Sequence, residues 1–169
     1  MTSHPSPTTE LPAPTAARSP DEQARVASLI RSIFSERIPF NQVLGLQVLS
    51  FERNEIGFDM RPELVGHFEY GRLHGGVISA TLDVVGSFGL MNAIAIRHPT
   101  DTVEQIGARF KKMGTIDLRV DYLRAGQGKT FLASAEVTRL GRRIGSTRMT
   151  LHNDSGVLIA TGAAVYVIS

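Results

Sequence analysis

The stretch Leu73 to Ile96, LHGGVISATLDVVGSFGLMNAIAI, restricts the folds open to this chain more than any other. Its residues are apolar or small around the whole helical circumference. Val77, Thr81, Val84, Phe88 and Met91 follow one line, Ile78, Leu82 and Val85 a second, and Ala80, Gly86, Leu90 and Ile94 the remainder. A helix of that kind is buried, either in a protein core or in a bilayer. Its length approaches the roughly 20 residues of a membrane span. Asp83 at its middle, interrupting glycines and strand-like flanks argue instead for a core helix wrapped by a sheet, with no membrane partner.

Asp83 is the residue this placement makes costly. An ionised carboxylate taken out of water needs a partner, and its neighbours Leu82, Val84 and Val85 have no polar side chain to offer. Taken alone, it reads equally as a structural acid bonded to a hydroxyl or amide and as a base or nucleophile in a cleft. The start of the stretch favours the second reading. His74-Gly75-Gly76 falls where a first helical turn leaves amides without intrahelical acceptors, and glycine lets a ligand come close to them. Such an end suits a carbonyl oxygen that gains negative charge; a tight turn is the plainer alternative. On a single helix His74 and Asp83, nine residues apart, are separated by about 13 Å along the axis, and Gly75 and Asp83 by about 12 Å. If both ends act on one carbonyl carbon, a symmetric dimer must supply Gly75 from one subunit and Asp83 from the other.

Around this helix the chain reads as one domain with a tail. Its 169 residues, 42% of them apolar, suffice for one substantial core. There is no cysteine, which excludes disulfides and thiolate chemistry and agrees with a cytoplasmic setting. Residues 1–18, rich in Pro, Ser and Thr and without the apolar run of a secretory signal, are expected to be a disordered tail, and residues 19–169 the domain. Ser19, Pro20 and Glu22 mark a helix start with capping-box spacing, followed by the stripe Val26, Leu29, Ile30, Ile33 and Phe34. After Pro39 come a short turn to Gly45, a hairpin of Leu46 to Arg53 with Glu55 to Arg61, and a loop over 62–73. Beyond the central helix, Thr102 to Met113 reads as an amphipathic connector or lid. Four strands follow: Thr115 to Leu123, Thr130 to Leu140, Ile144 to Asn153 and Val157 to Ile168. The order implies an α+β fold with an antiparallel sheet curled around one long helix.

Charge is concentrated late in the chain. Residues 109–148 hold ten Lys or Arg against three acids, whereas the whole chain is only +2. That excess reads as a solvated face or as the seat of a polyanion, with Arg124, Arg139, Arg142 and Arg143 at strand ends or turns where they can meet phosphates. Nucleic acid is not expected, because few aromatics are interleaved there and no binding signature is present. No His/Asp/Glu cluster has metal-ligand spacing, so no metal is expected.

LHGG, an Asp nine residues after its His inside an apolar helix, and the later TIDLRVDYLRAG together resemble the PaaI-like acyl-CoA thioesterases of the hotdog fold. RLHGGVISATLDVVG is similar to the YigI-type branch of that family, and the resemblance runs from about Leu44 to Ile168. It implies hydrolysis of medium- to long-chain or aryl acyl-CoA by a homodimer that pairs into a dimer of dimers, with no cofactor, coenzyme A being part of the substrate. By the same resemblance Asp83 is the catalytic nucleophile or base, and the Gly75 N–H of the partner subunit polarises the thioester. His74 orients the thioester, and Thr115 holds water or Asp83. Gly76, Tyr122, Arg124, Arg139, Gly141, Arg142 and Arg143 fall in segments that bind the substrate or its coenzyme A.

Two departures stand out. Many relatives carry Asn or Gln six residues before the His, where this chain has Phe68; the nearest polar candidate is His67. The stretch from His98 to Met113 is long, as in the YigI-type branch, which suits longer acyl chains. The alternatives are a hotdog hydratase or dehydratase acting on enoyl or 3-hydroxyacyl thioesters, and a non-catalytic acyl-CoA-binding module.

Overall fold

A computed structural model describes residues 17–169. Apart from its last two residues, the tail expected over 1–18 lies outside the described residues. Arg18 does not behave as tail: its guanidinium donates to the carbonyls of His98 (2.7 Å) and Asp101 (2.9 Å), and its own amide donates to Pro99 O (2.7 Å).

Helix α1 spans Pro20–Ser32, and Ser19 Oγ caps it by accepting from Glu22 N at 3.2 Å. The reciprocal half of the expected capping box is missing. Glu22 instead accepts from Val103 N at 2.9 Å, which ties α1 to the start of a later helix. A π-helical turn, Ile33–Arg37, follows, and the Phe34 carbonyl is taken by Asn41 Nδ2 at 2.8 Å. Where a turn was expected there is a short helix, α2 (Pro39–Leu44), closed by Gly45 at φ 72°. Strands β1 (Gln47–Ser50) and β2 (Glu55–Asp59) form the expected hairpin, with Asn54 at φ 49° at the joint. The expected 62–73 loop contains a 3-10 turn, Pro62–Leu64, and a small hairpin of β3 (Val65–His67) and β4 (Arg72–Leu73).

Helix α3, Gly75–Arg97, is the centre of the molecule. Connector helix α4 (Val103–Phe110) is shorter than the expected 102–113 and carries a complete capping box from Thr102 and Gln105. Strands β5 (Gly114–Tyr122), β6 (Thr130–Leu140), β7 (Ile144–Asn153) and β8 (Leu158–Val167) complete one antiparallel sheet in the order β1-β2-β6-β7-β8-β5. β5 is therefore an edge strand.

One side of α3 lies on β6, β7 and β8. Another meets the π turn through an edge-on ring contact, Phe34 to Phe88 at 5.4 Å, and Phe34 in turn meets Phe110 of α4 edge-on at 5.5 Å. Leu82, Val85, Phe88, Leu90 and Met91 are fully buried, each contributing about 1.5–3 kcal/mol of burial. That outweighs the roughly 1 kcal/mol that each mid-helix glycine costs relative to alanine. Although long and apolar enough to cross a membrane, α3 is thus a core element. It is not covered all round, as its composition implied: Ala80, Asp83, Val84 and Ser87 form a stripe that stays half-open to solvent.

Candidate active site

The side chains singled out by the sequence fall at three places along α3. The first is its start. His74 is the N-cap, and its ring Nδ1 accepts from Gly76 N at 2.8 Å, so the neutral ring carries its proton on Nε2. Residue 76 must be glycine for this cap, because a Cβ there would lie 2.9 Å from His74 Nδ1. The Gly76 amide, expected to serve the substrate, is thus already committed. The Gly75 amide has no acceptor among the described residues. Tyr122, at the end of β5, leans over this corner and donates from its hydroxyl to Gly75 O at 3.2 Å. Arg124 is exposed on the adjoining loop, which is fastened to the same corner by Leu73 N donating to Gly126 O at 2.8 Å. His67 sits in the β3–β4 hairpin, which docks here through His74 N donating to Leu64 O at 2.8 Å. The His67 ring lies against Tyr70 and Phe68, with centroids 4.7 and 5.8 Å away, and Phe68 itself is 90% exposed.

The second place is two turns further on. Asp83 is half-buried on the open stripe, and its Oδ1 accepts from Thr115 Oγ1 at 2.9 Å across the edge strand. Asp83 makes no ion pair among the described residues. Its main-chain carbonyl accepts from the hydroxyl of Tyr166, a fully buried residue of β8, at 3.0 Å. Burial, and then the negative charge of Asp83, hold the Tyr166 phenol far above its ordinary range, so it stays a donor. Tyr166 has no place in the motif-based reading. The available hint is a tyrosine at an inward position of the strand LIATGAAVYV, where a buried hydroxyl needs an acceptor.

The third place is the far end of the helix. Arg97 donates to the carbonyls of Leu140 (3.0 Å) and Gly141 (2.6 Å), which fixes the β6–β7 turn against the C-terminus of α3. Arg139, Gly141, Arg142 and Arg143 are therefore gathered about 30 Å along the helix from His74 and Gly75, and within one chain they do not share a site with them. Asp83 and Gly75 also stay about 12 Å apart on the one helix. Among the described residues no three His, Asp or Glu side chains converge as metal ligands do.

A long helix held in a curled antiparallel sheet, with a hydroxyl-bound acid on its open face and an unclaimed glycine amide at its start, defines a hotdog-fold protein of the PaaI-like kind. The chain belongs to the thioesterase superfamily, whose model matches residues 70–160, and it is a thioester hydrolase. The medium/long-chain acyl-CoA thioesterase YigI of Salmonella typhimurium is 37% identical over 142 residues, which cover 83% of this chain and 92% of that protein. The protein of the same name from Escherichia coli is 36% identical with the same coverage. A solved structure from Shewanella oneidensis, of a protein related to the thioesterase superfamily, aligns with a TM-score of 0.83 at 36% identity, covering 90% of this chain and all of that one.

Proposed function

We propose that this hydrolase cleaves medium- to long-chain acyl-CoA at a site shared by two subunits, the Gly75 amide of one facing Asp83 of the other. The substrate class follows that named for the YigI relatives. The observation that carries the site is the pairing, on one helix, of a half-open carboxylate steadied by Thr115 with an amide that nothing else claims. A second copy is favoured by β5, a nine-residue edge strand whose outer side has no partner strand among the described residues, with Ile116 57% and Tyr122 55% exposed, lying beside the open stripe of α3.

In this reading the acyl carbonyl oxygen accepts the Gly75 N–H, which stabilises the charge that develops there at a helix N-terminus. Asp83 either attacks the carbonyl carbon or takes the proton from a water that does. On the water route, collapse breaks the C–S bond, coenzyme A leaves as a thiolate that takes the proton back from Asp83, and the acyl group is released as the acid. On the direct route, collapse expels the thiolate and leaves a mixed anhydride on Asp83; water then hydrolyses it to the acid and the Asp83 carboxyl, whose proton passes to the thiolate. In a single turnover in ¹⁸O water, label recovered in Asp83 identifies direct attack with the anhydride opened at the Asp83 carbonyl, whereas the water route labels only the released acid.

The test is thiol release across acyl-CoA lengths, from acetyl to palmitoyl plus phenylacetyl, for the native protein and Asp83→Asn. The variant is expected to fold and to lose about a hundredfold or more of its rate. Retention of most activity removes Asp83 from the reaction, and hydration of enoyl-CoA without thiol release moves the protein to the hydratase class.

A further inference from the structure

Asp83 is gripped from two neighbouring strands at once. Thr115 and Tyr166 are direct partners in the β5–β8 ladder, so their side chains leave the same face of the sheet. Both end on one helix residue: the Thr115 hydroxyl on the Asp83 carboxylate at 2.9 Å, the Tyr166 hydroxyl on the Asp83 carbonyl at 3.0 Å. The second contact exists because residue 86, in the next turn of α3, is glycine. A Cβ there would lie 2.3 Å from the Tyr166 hydroxyl and 2.8 Å from Thr147 Oγ1. The fold accepts a mid-helix glycine, a cost of about 1 kcal/mol relative to alanine, at the point where the phenol enters. A phenylalanine at 166 would fill the same core without that hydroxyl.

We propose that Tyr166 is a positioning residue for Asp83: it fixes the turn of α3 that carries the carboxylate, while Thr115 fixes the carboxylate itself. The inference rests on the reading of Asp83 as the group that acts on the thioester. Tyr166 is buried, and its hydroxyl meets the helix from the sheet side, so its influence is on alignment. Alignment is a sensitive quantity, because a displacement of about 1 Å can cost on the order of a hundredfold in rate.

The experiment is steady-state thiol release by Tyr166→Phe, alone and combined with Asp83→Asn. Tyr166→Phe is expected to lower kcat about tenfold with KM changed less than about twofold. Added to Asp83→Asn, it should lower the residual rate no further, since there is no longer a carboxylate to align. Gly86→Ala, which drives the phenol off the helix while keeping it in the chain, should reproduce the loss in kcat, and it carries the test should Tyr166→Phe not fold. A native kcat in Tyr166→Phe, or an equal further loss on top of Asp83→Asn, overturns the proposal. If Asp83→Asn itself stays active, the reading of Asp83 falls and this one with it. If Asp83→Asn is inactive and Tyr166→Phe is normal, only the positioning role falls.

Discussion

At the start of α3 two adjacent glycines have different fates because of one side chain. The His74 ring takes the amide of Gly76 and leaves that of Gly75 without an acceptor. His74-Gly75-Gly76 is thus a cap that commits the second glycine amide and leaves the first without an acceptor, which a bare tight turn would not need to do. Cationic residues divide in the same residue-by-residue way. Arg124, Arg139, Arg142 and Arg143 are exposed and make no ion pair among the described residues, yet Arg124 alone stands at the Gly75 corner. If the coenzyme A phosphates lie near the amide that holds the carbonyl oxygen, Arg124→Glu raises KM by about an order of magnitude through lost charge-assisted contacts, with kcat unchanged. Arg142→Glu with Arg143→Glu should leave KM near its native value. The reverse outcome in a saturation series assigns the nucleotide end to the far corner.

At the scale of elements, the C-terminus of α3 is held by a group distant in sequence. Arg18 supplies positive charge to carbonyls there, as a helix end favours, while Arg97, on the helix itself, reaches out to the Leu140 and Gly141 carbonyls. The cap, His98, lies between Arg18 and Arg97, with Arg109 Nη2 3.3 Å from its Nδ1. Burial first, and then the Arg109 charge, lower the His98 pKa below its ordinary 6.5. The unfolded chain therefore binds that proton at a pH where the folded protein still refuses it. Stability from this source is complete above pH 6.5 and is lost as pH falls through the lowered value. Thermal melts between pH 8 and pH 5 should show a decline that is shallower in His98→Gln; equal slopes would exclude this origin. Elements were legible where their pattern is long. β6 and β7 match their expected limits because buried and open residues alternate along them and Gly-rich turns bound them. β3 and β4, of three and two residues, are too short to show alternation and exist by docking on the helix start. Tyr166 and Thr115 meet only through register, 51 residues apart, and register is absent from any local pattern.

At the scale of the whole molecule, the helix acts as a ruler. Gly75 and Asp83 lie about 12 Å apart on a rigid element, so no side-chain motion within one chain brings both to one carbonyl carbon. In the proposed dimer, two-fold symmetry resolves this by giving each site one half from either subunit. That arrangement predicts complementation between two inactive proteins. Gly75→Pro deletes the amide hydrogen at a first-turn position where proline is tolerated. His74 already has the extended backbone, φ −66° and ψ 137°, that a following proline requires. Gly75→Pro and Asp83→Asn homodimers should each be nearly inactive. Mixed dimers, formed by co-refolding or co-expression, place both lesions in one site and leave the other intact. Random mixing makes half of the dimers mixed, with one working site in two, so about a quarter of native thiol release is expected. Recovery no greater than the sum of the two separate variants would mean that each chain builds its own site, and the shared arrangement would have to be abandoned.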